Sequence, residues 1–182
     1  GSDGDFGTMQ RGTILIDASS IAPAIAQRLA ARAASLGATM LDAPVSGGVS
    51  GAQKGELTVM VGGDPAVLER VRPVIAAFAK KVVHCGGVGA GDALKAVNNA
   101  LLAISLWATG EGLAALRRAG IAPEVALDVI NASSGRSNAS MNLFPERVLT
   151  RAFPRTFRLA LLAKDIGIAA ALARAQRGPA PM

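Results

Sequence analysis

A lysine and an asparagine lie one turn apart at the start of a predicted apolar helix, directly after a glycine turn. Gly89 and Gly91 lead into Lys95 and Asn99, and residues 100–116 continue the helical pattern with mostly apolar side chains. Residues four apart project from one face of a helix. Lysine has a pKa of about 10.4 in water, but desolvation lowers it and makes the amine a better base. An isolated lysine here is more often exposed, yet the glycines, the paired asparagines and the apolar continuation favour a functional site over a solvated surface.

The elements before this site alternate between strand and helix. The pattern predicts strands at residues 13–17, 38–45, 57–61 and 81–85, and helices at 22–36 and 65–79. A glycine-rich loop at residues 46–51 follows the second strand. This alternation predicts an α/β layer with a largely parallel sheet.

No strand signal occurs after the glycine turn. Helices are predicted at residues 90–119, 123–131 and 157–175, so we expect an α/β domain over 1–88 and an all-helical domain over 89–182. No G-x-G-x-x-G stands between a strand and a helix, and the last six residues read as a loop. Both ends are therefore expected to be truncated.

Composition argues against several classes of protein. Lysine and arginine give a net charge of +6 but are scattered in ones and twos, and aromatic residues make up 3% with no tyrosine. Neither a basic nucleic-acid arm nor a base-stacking platform is indicated. The sequence contains no run of about 18 uninterrupted apolar residues, so no membrane span is predicted. No signal peptide is recognisable.

The lone cysteine and the lone histidine indicate no special chemistry. Cys85 cannot form an intrachain disulfide, so a reducing compartment and a cytoplasmic location are expected, with Cys85 a small apolar residue at a strand end. His84 has no cluster of further ligands near it in the sequence, so no metal site is expected.

Four motifs, in this order, strongly resemble those of the β-hydroxyacid dehydrogenases, and the resemblance runs from about residue 12 to the end. They are Asp42-Ala-Pro-Val-Ser46-Gly47-Gly48 with its glycine-rich continuation, Gly89-x-Gly91-x-x-x-Lys95-x-x-Asn98-Asn99, Ser133-Ser-Gly-Arg136-Ser137, and Ala163-Lys164-Asp165. The resemblance implies the C-terminal part of a Rossmann-type NAD(P)-binding domain followed by a 6-phosphogluconate-dehydrogenase-like helical domain for substrate binding and dimerisation. The family's glycine fingerprint, and the acidic residue that selects NAD over NADP, are absent from these residues.

The resemblance also implies an activity. We expect an NAD- or NADP-dependent oxidoreductase that converts a short 3-hydroxy acid, of the 3-hydroxyisobutyrate type, to its semialdehyde. Two alternatives remain open: reduction of tartronate semialdehyde, and an inactive truncated relative that serves as a dimerisation or binding module.

Residue roles follow from the matching motif positions. Lys95 corresponds to the catalytic lysine, a general acid/base, and Asn99 to a residue that hydrogen-bonds the substrate. Ser46, Gly47 and Gly48 correspond to the loop that binds the substrate carboxylate, because glycines let backbone N–H groups approach an anion; an ordinary turn is the alternative.

Cofactor contacts are implied at two further positions. Ser20 corresponds to a residue near the nicotinamide, or else caps the following helix. Lys164 corresponds to a cofactor-binding lysine, with Asp165 as its orienting partner. Arg136 either meets the substrate carboxylate or ties its turn together, and we favour the structural role.

The long predicted helix carries more apolar surface than the fragment can cover. Its large apolar residues face several directions: Leu101, Leu102, Ile104, Leu106 and Trp107. A helix that is apolar all round is buried in something larger, so a homodimer or homotetramer is expected, with this helix at its centre.

Overall fold

The computed structural model of the chain describes residues 4–178, with side chains from Phe6 onward. Residues up to 97, together with those from 163 on, form one compact unit, and residues 98–162 form a second. The boundary between the two units thus lies within the long helix at residues 90–118, and most of the last helix belongs to the first unit. The division into functional domains after residue 88 stays a prediction.

The first unit contains a five-stranded mixed sheet. Strand β1 (Ile14–Asp17) pairs in parallel with β2 (Thr39–Asp42), and β4 (Leu57–Gly62) pairs in parallel with β5 (Ala79–Gly86). The β4 strand runs antiparallel to both β2 and the two-residue β3 (Val45–Ser46). The two longer ladders are parallel, as expected, and these two short pairs are the antiparallel exceptions. A parallel crossover needs a dozen or more residues, and the link from β3 to β4 is too short for one.

Helices cover the sheet from two sides. Consecutive strand residues point to opposite faces, and Met40 packs with Ala26 and Ala33 of α1 (Pro23–Ser35), whereas Leu41 packs with residues of α3 (Pro65–Ala76), including Leu68 and Ile75. The core is thus one helix layer on each sheet face.

Three local features differ from the predicted pattern. The predicted strand 38–45 is broken at Pro44, which lacks an amide for strand pairing. The glycine-rich loop becomes a short helix, α2 (Gly48–Lys54), and α3 ends at Ala76 because Ala79 already begins β5.

The remaining helices lie where the sequence predicts them, within two residues at each end. They are α4 (Ala90–Arg118), α5 (Pro123–Asn131) and α6 (Leu159–Ala175). A π-helical segment, Ala139–Leu149, was not predicted. In the second unit it packs against α5 and α4 through Leu113, Leu127 and Phe144.

By length and average hydropathy, α4 could cross a membrane, although it has no uninterrupted apolar run of that length. One such helix is weak evidence, because the core helix of a globular protein passes the same test. Asp92 and Lys95 in its first two turns are charged types that are costly in hydrocarbon.

Candidate active site

The start of α4 is fixed by a carboxylate that comes from the sheet. Asp42, at the end of β2, is fully buried. Its Oδ1 accepts a hydrogen bond from the backbone N–H of Gly89 at 2.7 Å, and its Oδ2 accepts one from the N–H of Asp92 at 3.0 Å. These amides have no partner within the helix, and a negative charge is favourable at a helix N-terminus. Asp42 therefore caps the helix that carries Lys95.

Glycines make this close approach possible. A Cβ on Gly91 would lie 2.3 Å from the carbonyl oxygen of Met60 and 2.9 Å from Oδ2 of Asp42, and a Cβ on Gly62 would lie 2.3 Å from Oδ1 of Asp42. Gly89 has a φ of +92°, which L side chains rarely adopt. The glycines before Lys95 thus bring the first turn of α4 against the sheet.

Lys95 lies one turn further along α4 and is partly buried. Burial lowers the pKa of its amine, the negative charge of Asp165 raises it, and the positive charge of Lys164 lowers it. A lysine amine with a lowered pKa is a better base at neutral pH.

Lys164 and Asp165, on α6, form the second part of the cluster. The Lys164 ammonium lies 2.9 Å from Oδ1 of Asp165 and also donates to the backbone carbonyl of Ser20. Asp165 is 3% exposed, whereas the Lys164 side chain is 43% exposed. Asp165 thus supplies a buried carboxylate and Lys164 an accessible cation. Both are close enough to Lys95 to change the pKa of its amine.

A further carboxyl, Asp92, belongs to the first turn of α4 and interacts electrostatically with Lys164. It is 2% exposed, and its Oδ1 accepts a hydrogen bond from the N–H of Ile21 at 3.1 Å. Burial raises its pKa to about 7; the Ile21 amide opposes this shift, the charges of Asp42 and Asp17 add to it, and Lys164 opposes it.

Ser20, Lys95, Lys164 and Asp165 therefore lie in one cluster of the first unit. Ser46 pairs with Thr58 across β3 and β4, while Gly47 and Gly48 begin α2. In the part of the chain that the structure describes, no side-chain hydrogen bond or ion pair joins residues 46–48 to Lys95.

The asparagines that follow Lys95 differ in burial. Asn99 is 4% exposed and accepts a hydrogen bond from Nδ2 of Asn98 at 3.3 Å, whereas Asn98 is exposed. Asn98 thus holds the side chain of Asn99 locally.

The contacts of Arg136, His84 and Cys85, which the sequence also singled out, favour structural rather than catalytic roles. The N–H of Arg136 donates to the carbonyl of Ser133, which closes its turn. Nε2 of His84 donates to the carbonyl of Gly63 at 2.8 Å. Burial raises the pKa of the Cys85 thiol, which disfavours the reactive thiolate. Among residues 6–178, no three His, Cys, Asp or Glu side chains are grouped as metal ligands would be.

An open pocket of about 450 Å³ lies elsewhere in the first unit. Its walls contain no charged side chain; they are Val83, Cys85, Ala90, Ala93, Leu94, Val97 and Leu172. The pocket therefore lacks the groups that acid–base chemistry requires, and the cluster around Lys95 is the better candidate site.

Sequence reasoning missed the roles of Asp42 and Asp92. Each contacts a backbone amide about 50 or more residues away, which no local pattern indicates. The available signals were that Asp42 ends an apolar strand and that Asp92 precedes Lys95 by one turn.

Comparison with known proteins matches the chain to two family models. Residues 1–87 match the family model described as the NAD binding domain of 6-phosphogluconate dehydrogenase. Residues 89–182 match the model described as NAD-binding of NADP-dependent 3-hydroxyisobutyrate dehydrogenase.

Individual proteins are similar over the whole chain but are longer. The 2-(hydroxymethyl)glutarate dehydrogenase of Eubacterium barkeri is 37% identical over 100% of this chain and 60% of that protein. The 3-hydroxyisobutyrate dehydrogenase of Pseudomonas aeruginosa is 38% identical, over 100% of this chain and 63% of its own length. The chain thus spans about three fifths of the curated relatives it matches.

A solved structure gives the same result in three dimensions. The 3-hydroxyisobutyrate dehydrogenase of Mycobacterium tuberculosis, determined with L-serine, superposes with a TM-score of 0.90 at 36% identity, over 97% of this chain and 62% of that one. With two consecutive family models matched along its length and this shared fold, the chain belongs to the β-hydroxyacid dehydrogenase family.

Proposed function

We propose that this chain carries the proton-transfer site of an NAD(P)-dependent dehydrogenase of short 3-hydroxy acids. The observation that carries the proposal is the partly buried Lys95, whose pKa is lowered by burial and by Lys164. Lys95 lies on a helix whose start is anchored to the sheet by Asp42. Such anchoring supports catalysis, because acid–base groups act only when they are held within reach of the proton.

The substrate class is suggested by chemistry that the relatives share. Their names give 3-hydroxyisobutyrate and 2-(hydroxymethyl)glutarate, and one solved relative was determined with L-serine. Each of these molecules has a hydroxymethyl group on the carbon next to a carboxylate. We expect the same primary alcohol and carboxylate in the substrate of this protein.

Lys95 would take the proton of the substrate hydroxyl as the alcohol becomes an aldehyde. The O–H bond breaks, its proton passes to Nζ of Lys95, and the C–O bond becomes double as the hydride leaves the same carbon. The nicotinamide cofactor, when bound, accepts that hydride. In the reverse direction, the protonated Lys95 returns its proton to the forming alkoxide, so the same residue serves reduction of a semialdehyde.

Ser20 and Lys164 would hold the cofactor near its nicotinamide end. The ammonium of Lys164 is partly accessible and is kept beside Ser20 by its contact with the Ser20 carbonyl. A hydroxyl and a cation placed together fit a polar, anionic cofactor. The functional division would follow the motifs, with the nucleotide-binding part in residues 1–88 and the helical substrate and dimerisation part in 89–182.

Substrate binding would involve Asn99 and the segment at residues 46–48. Asn99 follows Lys95 by four residues on α4. Gly47 and Gly48 have φ values of +135° and +61°, and a Cβ on Gly48 would meet nothing within 4 Å. Their backbone amides, with the Ser46 hydroxyl, are suited to a carboxylate.

Helix α4 would also mediate self-association. It exposes a series of apolar side chains spaced three or four residues apart, Leu94, Val97, Leu101, Ile104 and Trp107, and Trp107 is 72% exposed. A second copy of the protein would cover this series. Light scattering at micromolar concentration should give a dimer or tetramer, and Trp107→Glu should shift it toward monomer; a wild-type monomer would contradict this.

A substrate panel tests the proposed activity. The full-length gene product that contains this chain would be assayed with NAD⁺ and NADP⁺ on 3-hydroxyisobutyrate, L-serine and 2-(hydroxymethyl)glutarate, and in reverse on tartronate semialdehyde. The proposal is supported if at least one hydroxymethyl acid is oxidised and has the highest kcat/KM of the substrates in the panel. A preference for tartronate semialdehyde would indicate the reductase alternative, and no turnover on any of them would favour an inactive dimerisation or binding module.

A further inference from the structure

Charged side chains hold the backbone that follows β1. Oδ1 of Asp17, at the end of that strand, accepts a hydrogen bond from the N–H of Ser19 at 3.0 Å. Lys164, from α6, donates to the carbonyl of Ser20. The segment at residues 19–21 belongs to no helix or strand, so these contacts, rather than regular structure, order it.

Asp92 provides the third contact and differs from the other two charged groups in its burial. Only 2% of the residue is exposed, and its Oδ1 accepts a hydrogen bond from the N–H of Ile21. Its Oδ2 is buried and has no hydrogen-bond partner among residues 6–178. Buried polar atoms nearly always have a partner, and leaving a charged oxygen unpaired is costly. A carboxyl in this position costs less free energy when it is neutral, with the proton on its second oxygen, than when it is charged.

We propose that Asp92 is a positioning residue, which holds the backbone at Ser20 and Ile21 against the first turn of α4 and holds it more firmly when the carboxyl is ionised. The inference rests on the proposed function to the extent that Ser20 is a cofactor contact. Because Asp92 precedes Lys95 by three residues on the same helix, one side chain would then link the cofactor-binding segment to the helix of the proton-transfer residue.

The charges around Asp92 allow both protonation states near neutral pH. Burial raises its pKa to about 7, and Asp42 from β2 and Asp17 from β1 add to the rise. The Ile21 amide and Lys164 from α6 oppose it. Hydrogen bonds to an ionised acceptor are roughly twice as strong as those to a neutral one. The Ile21 amide is therefore held more strongly as the pH rises through about 7.

The Ile21 amide itself gives the most direct test, by NMR on the full chain without cofactor. In the wild type, its chemical shift should move through one transition with a midpoint near pH 7. Asp92→Asn keeps an acceptor oxygen but cannot titrate, so the transition should disappear while the amide stays protected from exchange. Asp92→Ala removes the acceptor, and exchange of the Ile21 amide should become about tenfold faster, the loss expected for one hydrogen bond.

Two results would overturn the inference. One is a wild-type Ile21 shift that is flat across neutral pH, and the other is exchange that Asp92→Ala leaves unchanged. If Asp92→Ala does not fold, the comparison between the wild type and Asp92→Asn decides alone.

Cofactor affinity separates this inference from the proposed function. In the full-length protein, the KM for NAD⁺ or NADP⁺ should fall as the pH rises through about 7 and should be independent of pH in Asp92→Asn. A titrating Ile21 amide in a protein that binds neither dinucleotide would refute the proposed function and leave the backbone positioning intact. A KM whose pH dependence survives in Asp92→Asn would overturn the functional part of the inference.

Discussion

Oδ2 of Asp42 accepts a hydrogen bond from the backbone N–H of Asp92 at 3.0 Å, and the two residues are 50 positions apart in the chain. Through this bond the end of β2 fixes the first turn of α4. The arrangement places the backbone of α4 and, one turn later, the side chain of Lys95. The position of the candidate base is thus set by the sheet as well as by the helix.

Replacing Asp42 tests this anchor. Asp42→Ala leaves the buried amides of Gly89 and Asp92 without partners, and each such group costs about 1–3 kcal/mol. We therefore expect the free energy of unfolding, measured with urea, to fall by about 2–5 kcal/mol. Asp64→Ala is the matched control, since Asp64 caps α3 at an exposed site by accepting from Ala66 N–H; it should cost only about 1 kcal/mol. Equal losses in the two variants would contradict the anchor.

Two glycines of α4 should respond to alanine in opposite ways. A Cβ at Gly91 would collide with the Met60 carbonyl, whereas a Cβ at Gly112 meets nothing within 4 Å. Gly91→Ala should destabilise the fold by about 1–3 kcal/mol, typical of overpacking. Gly112→Ala should stabilise it by about 0.5–1 kcal/mol, because glycine is a poor helix former. Thermal unfolding of both variants checks this, and a Gly91→Ala protein as stable as the wild type would refute the close packing.

Asp92 should make stability depend on pH. Its folded pKa, about 7, lies above the ordinary value of 3.8, so folding retains a proton that the unfolded chain gives up. The stability that this proton contributes is fully present below about pH 4 and is lost as the pH rises through about 7. Asp92→Asn lacks this dependence. Between mildly acidic and alkaline pH, its free energy of unfolding should therefore rise by roughly 2–4 kcal/mol relative to that of the wild type.

Urea unfolding of both proteins across the pH range measures this difference directly. Groups that do not interact with Asp92 titrate equally in the two proteins, so the difference reports Asp92 together with its charged neighbours Asp17, Asp42 and Lys164. A constant difference across neutral pH would show that Asp92 is ionised throughout.

The neighbours of Lys95 should move its pKa in opposite directions. Asp165 raises the pKa and Lys164 lowers it. Asp165→Asn should therefore lower the pKa of Lys95 further, and Lys164→Gln should raise it. NMR titration of the Lys95 side chain reports both shifts, and the exposed Lys81 serves as an internal control that should not respond. Shifts of the same sign in the two variants would show that the charges do not act as described.

Helix boundaries could be predicted because their signals are local. Pro23, Pro65 and Pro123 occupy the first turn of α1, α3 and α5, where proline needs no amide partner. The glycine at position 37, with a φ of +76°, follows α1 as a helix end requires. Lys95, Lys164 and Asp165 could be named in advance because each belongs to a short motif that resembles the family's, and Ser20 because its position corresponds to a family residue; their roles stay predictions.

The features that the sequence did not predict depend mainly on contacts between residues that are distant in the chain. The antiparallel pairing of β3 and β4 follows from a connection whose length, rather than its composition, decides the direction. The π-helical segment contains Pro145, which ordinarily argues against a helix interior. The anchor formed by Asp42 and the contact of Asp92 with Ile21 join segments that no sequence window contains together.

Lys95 gives the most direct measurement. In the full-length gene product, Lys95→Ala should lower kcat/KM for the preferred hydroxy acid by about 10²–10⁴-fold, the contribution of a general acid–base group. Lys95→Arg should lose as much, because a guanidinium keeps the charge but cannot act as a base. Both variants should keep the wild-type unfolding temperature within a few degrees, and Lys81→Ala, at an exposed lysine, should keep full activity. More than a tenth of wild-type activity in a folded Lys95→Ala protein would contradict the assignment of Lys95 as the proton-transfer residue.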